Sequence, residues 1–345
     1  MGGAAIANMA KNMEGAQFTN LGGTKLADMA KNMEGAQFKD LGGAKITDMA
    51  KNMGEEQYVK AGGRAVADMT RNLEAGQMEQ LRDQMASMAK VMGAEDYKGL
   101  GGEKIADMAK NIGAFEDVGG TAIADMAKNM EGAQFKDLGG AKIADMTKNM
   151  EGAQFKDLGG TKLAEMTKTM KQTHLKDLGG SKVVLMAKEM DASTLANIGN
   201  EQAKGMAKTM EGNQIETLAS DQLVGLAKGI ESKEMLAIGN EKLASMMKTI
   251  KTDDVETLGE DHLSSMMNGI KGEDIGNLDK DKKVTIVNNL KANFFESKEA
   301  TFKEIASATA QSERPTVSKD KGETTKISKA QGSKGIFARK SLFKR

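Results

Sequence analysis

LGGTKLADMAKNMEGAQFKD, residues Leu21 to Asp40, decides the fold, because the same stretch returns with growing divergence from Ile6 to about Leu278. Within it Leu26, Met29, Ala30 and Met33 fall at i, i+3, i+4 and i+7, one face of an α-helix. Lys25, Asp28, Lys31 and Asn32 share the opposite arc, and Asp28 lies three residues from both lysines. That spacing predicts intrahelical ion pairs on a solvated face, worth roughly 0.2–0.5 kcal/mol each. Phe38 and Leu41 follow at i, i+3, as in a short second helix. The unit is therefore read as helix, tight turn, helix.

The divergent copies suggest where the helices begin. Gly23 becomes Asn200, Ser220 and Asn240, all favoured N-caps, and Gly35 becomes Ser232 and Thr252 ahead of acidic residues. Both positions are predicted to be N-caps. Gly22 and its equivalents Gly199, Gly239 and Gly259 then end the preceding helix with positive φ.

The first apolar column runs Ile6, Leu26, Ile46, Val66, Met85, Ile105, Ile123, Ile143, Leu163, Val183, Ala203, Leu223, Leu243 and Leu263, which gives about fourteen 20-residue units. The step shortens between Val66 and Ile123, with two residues lost around Phe115. Two residues are more than half a helical turn. The sequence thus divides into an N-terminal helical block, 1–111, an irregular short repeat and expected hinge, 112–119, and a C-terminal helical block, 120–282. Degenerate capping helices are expected over 283–306 and a disordered basic tail over 307–345.

No single unit carries enough apolar surface to fold alone, so the units are expected to stack, each on its neighbours. The predicted fold class is all-α: an α-solenoid, or superhelix, of helix-turn-helix repeats. A leucine-rich repeat needs an alternating strand that residues 27–33 do not supply. A continuous coiled coil is incompatible with a Gly pair in nearly every unit. The alternation of two short helices resembles the superhelical cytosolic N-terminal domain of MgtE-family magnesium channels and the helical repeats of the flagellar motor switch protein FliG. That resemblance implies a superhelix and carries over no functional residue.

The 345 residues hold 49 basic and 49 acidic side chains, 28 Met, no Trp and no Cys. Without Cys there are no disulfides. Neither a signal peptide nor an apolar run of membrane-spanning length is seen, so a cytoplasmic location is expected. Catalytic chemistry finds little support. Met pairs such as Met29/Met33 and Met126/Met130 have a spacing that suits Cu(I) but read as core filler. The two histidines, His174 and His262, read as surface residues, and Asp253-Asp254 and Glu260-Asp261 as helix starts. Gly22 to Lys25 lacks the phosphate-loop spacing. Neither cofactor nor metal is expected, and the chain is read as not an enzyme.

The functional expectation is a scaffold or protein-interaction array that presents a periodic polar face to an extended or repetitive protein partner. The alternative is binding of nucleic acid, another anionic polymer or a membrane surface through the tail. Its candidate interaction residues are Arg314, Lys319, Lys321, Lys326, Lys329, Lys334, Phe337, Arg339, Lys340, Phe343, Lys344 and Arg345.

Overall fold

The computed structural model describes residues 2–290, and these are helical, with no strand among them. The predicted pair of helices appears in nearly every unit, as in Gly23–Lys31 followed by Gly35–Leu41. Every member of the first apolar column is buried, from Ile6 to Leu263, together with Phe38, Tyr58, Tyr97, Phe115, Phe135 and Phe155 from the second helices. These residues join in one continuous hydrophobic cluster. Met29, Met33, Met126 and Met130 lie inside it, each no more than 6 % exposed, so the thioethers are packing groups.

Both helix starts fall one residue earlier than the cap chemistry suggested. Gly22 closes Gly15–Leu21 and is also the N-cap of Gly23–Lys31, at φ 79° and ψ 150°. One residue stops a helix and starts the next, which only a residue tolerant of positive φ does cheaply. The same break at Gly159, φ 76°, divides Gly152–Thr169 into two helices. Gly23 and its substitutes Asn200, Ser220 and Asn240 are first helical residues, and the second helices are capped at Glu34, Glu231 and Lys251. Glu34 has its free N–H bound by the side chain of Gln37, 2.8 Å away.

The packing skips a unit, in contrast to the simple neighbour stacking expected. Gly23–Lys31 packs on Glu55–Ala61 of the next unit, whereas Gly15–Leu21 packs on Gly43–Lys51 of the next but one. Where the repeat shortens, the second helix is reduced to one 3-10 turn, Phe115–Asp117, with Phe115 and Val118 still buried. The last described helix, Lys280–Asn289, is capped by the Asp279 carboxylate. The tail residues singled out above, Arg314 to Arg345, lie outside the described residues.

Candidate interaction surface

Polar side chains that the helical wheel assigns to a free outer face are used between units. In many first helices the third residue, the Lys25 position, reaches back to the carbonyls that end an earlier first helix. Lys45 donates to Met13 O, Lys104 to Leu73 O, Lys162 to Met130 O and Lys182 to Met150 O, each from a part-buried setting. Gln202 and Gln222 do the same to Met170 and Met190 at 3.0 and 2.9 Å. Lys142 also bonds Ile112 O, with its ammonium 5.6 Å from the Phe115 ring centre, and burial pulls its pKa below the ordinary lysine value. These donors satisfy orphan carbonyls at a helix C-terminus and complement its dipole.

The histidines belong to the same system rather than to the open surface. His262 takes the Lys25 place, its Nε2 donating to Ile230 O at 2.9 Å. His174 takes the Gln37 place, its Nδ1 accepting the Lys171 N–H at 3.2 Å. Both are half-buried. Among the described residues no group of three His, Cys, Asp or Glu side chains is placed to hold a metal ion.

A second tie joins the first residue of one first helix to the second helix of the following unit. In the N-terminal units, except at Arg82, that residue is Gly, where little room is left for more. A Cβ on Gly23 would come within 2.8 Å of Asn52 O and 3.0 Å of Gln57 Cγ. Toward the C-terminus the partner at this place is acidic, and the glycine is replaced by a residue that bonds it. Asn200 donates to Glu234 at 3.0 Å and accepts from Glu231 N at 2.9 Å. Ser220 donates to Asp254 at 2.5 Å and accepts from Lys251 N at 2.7 Å. Lys204 and Asn200 hold the Glu234 carboxyl below the usual carboxylate range.

Ion pairs on the outer face also cross units. Asp28 pairs with Lys60 at 2.8 Å rather than with Lys25 or Lys31, and Lys110 pairs with Asp137 at 2.5 Å. Lys11–Asp40 and Lys128–Asp157 are equivalent bridges. Some units do keep the predicted intrahelical pairing, as in Arg71–Asp68 and Lys162–Glu165. Burial pushes the Asp125 carboxyl up, against the pull of Lys128.

At two places a shallow groove lies between a first helix and the next unit's second helix. One groove is lined by Thr161, Ala164, Glu165, Lys168, Ser193 and Asn197. Another is lined by Ser181, Val184, Leu185, Lys188, Asn213 and Thr217, the same six places shifted by twenty residues. Asn197 and Thr217 occupy the place of Asp137 and Asp157, so Lys168 and Lys188 have no carboxylate opposite them across the groove. Among the described residues no helix is long and apolar enough to cross a membrane. No protein family, curated protein or solved structure matches the chain.

Proposed function

We propose that the chain is an α-solenoid of about fourteen 20-residue units that acts in the cytoplasm as a non-enzymatic interaction scaffold, its periodic polar face binding an extended protein partner. The observation that carries this reading is the pair of shallow grooves at Thr161–Asn197 and Ser181–Thr217, which occupy equivalent places at a twenty-residue step and share a lysine, Lys168 and Lys188. A partner with a matching repeat meets an equivalent place in each groove, so successive weak contacts add through effective concentration. Helix pairs in close contact lie within two units of one another, which supports an open array over a closed globule.

Photo-crosslinkers placed singly at Ser193, Asn213 and Phe337 of the full chain test the proposal. Adducts of one and the same protein at Ser193 and Asn213 support it. Adducts confined to Phe337, or to nucleic acid, contradict it and favour the second reading, in which the basic segment Arg314 to Arg345 binds an anionic polymer.

A further inference from the structure

The places that line the two grooves change character farther along the chain. On the first-helix wall Thr161 and Ser181 are followed, at the same step, by Glu201, Asp221, Glu241, Asp261 and Asp281. On the second-helix wall Ser193 and Asn213 are followed by Lys233, Asp253 and Glu273. All of these side chains except Lys233 are acidic, and the acidic ones are exposed. The Ser220–Asp254 and Asn240–Asp274 bonds join the two walls beside Asp221/Asp253 and Glu241/Glu273, so the acids of both walls meet at the same junctions. Lys204 and Lys233 pair with carboxylates near the beginning of this run. No ion pair is seen for Asp221, Glu241, Asp261, Asp253 or Glu273 among the described residues.

Charge along the chain is segregated to match. Residues 1–190 hold 26 acidic and 25 basic side chains, residues 191–290 hold 17 and 11, and residues 314–345 hold 2 and 10. The acidic walls end within ten residues of Leu290, the last described residue. The 23 residues 291–313 separate that point from Arg314, a length that spans at most about 75–83 Å when extended. Five first helices packed at about 8–10 Å put the acidic row within about 40 Å, well inside that reach.

We propose that the row of exposed acidic side chains from Glu201 to Asp281 is the docking surface for this chain's own basic segment, Arg314 to Arg345, bound in cis. Covalent connection favours the chain's own segment over a dissolved polycation, because the tether raises its local concentration. The contact rests on charge and tether length and not on the grooves or on the identity of any partner, so the crosslinking test above and the test below can fail separately. Anionic polymers then compete with the array for the same cations.

The absence of Cys allows donor and acceptor dyes to be placed at Asn277→Cys and Ser341→Cys of the full chain. Energy transfer is expected to be high at about 50 mM salt, to fall about twofold or more at about 500 mM, and to be independent of protein concentration. Replacement of Glu201, Asp221, Glu241, Asp261 and Asp281 by their amides is expected to reproduce the high-salt value at low salt, with helical circular dichroism unchanged. Because those replacements touch the folded array, a second variant places the change in the tail: Lys319, Lys321, Lys326, Lys329 and Lys334, each to Gln, with the same loss expected. Transfer indifferent to salt and to the tail variant overturns the proposal. Transfer that rises with concentration assigns the contact to a second copy and overturns it as well.

Discussion

Asn240 and Asp274, 34 residues apart, close one junction of the array: the Asn240 amide donates to the carboxylate at 2.9 Å while its carbonyl accepts the Lys271 N–H at 2.6 Å. In N-terminal units such as 23/57 and 43/77 the same junction is a glycine facing a glutamine. The two solutions are mutually exclusive by size, since Gly23 has no space for a side chain and Asn240 fills the space with a bond.

Replacing Asn240 with Gly therefore removes a cap from Gly272–Gly276 and a partner from Asp274, at an expected cost of about 1–2 kcal/mol by urea denaturation. Gly23→Ala presses a methyl against a backbone carbonyl and is expected to cost about 1–3 kcal/mol. Adding Asp274→Gln to Asn240→Gly rebuilds the N-terminal form of the junction and is expected to recover part of the loss; strictly additive losses in the double variant would show that the two forms are not equivalent.

Where the Lys25 position is polar, Lys, Gln and His are each seen to donate to a carbonyl, as at Lys142, Gln222 and His262, while Ala65 and Ala122 fill it in two other units. Lys142→Gln is accordingly expected to stay within about 0.5 kcal/mol of the parent, while Lys142→Met leaves Ile112 O without this donor and loses about 1–2 kcal/mol. Equal stabilities for the two variants would show that the bond to Ile112 O contributes nothing to the stack.

Acid should loosen the C-terminal units through Glu234. Its carboxyl is depressed in the folded chain by Lys204 and Asn200, so the stability it contributes is complete above the unfolded glutamate pKa and is lost as pH falls through the folded value. The expected result is that Glu234→Gln is less stable than the parent at pH 7 and that the gap narrows between about pH 4.5 and pH 3. A gap independent of pH over that window would show that the charge on Glu234 is immaterial.

The shortened repeat holds a single 3-10 turn, Phe115–Asp117, between Gly102–Asn111 and Gly120–Lys128. Amides from Gly113 to Val118 are expected to exchange faster than any stretch of similar length within 20–270. Protection matching that of residues 123–163 would show that the stack absorbs the deletion and that no hinge exists there.

Burial was legible in the sequence, and partnership was not. The spacing of Leu26, Met29, Ala30 and Met33 names the inward face directly, because a helix buries what its period puts on one side. The same period puts Lys25 and Asp28 on the outer arc but says nothing about a carbonyl or a cation about 32 residues away, and the packing supplies both. The cap positions were misplaced for a related reason. Asn200, Ser220 and Asn240 are capping residues as their chemistry suggests, but they cap the helix that begins at residue 232, 252 or 272 rather than their own. A partial signal for this lies in the sequence: Asn or Ser at the first place goes with Glu or Asp at 200/234, 220/254 and 240/274, while Gly goes with Gln or His in units such as 23/57 and 140/174 but with Asp at 63/96. The grooves were less visible still, since Asn197 and Thr217 matter only as the absence of an acid that Lys168 and Lys188 would otherwise meet.

Small-angle scattering of residues 1–300 tests the open array most directly. Fourteen layers at about 8–10 Å give a path of roughly 110–140 Å and a radius of gyration of about 30 Å or more. A closed globule of that length has a radius of gyration of about 19 Å. The account predicts the larger value, unchanged on dilution; a concentration-independent value near 19 Å would contradict it.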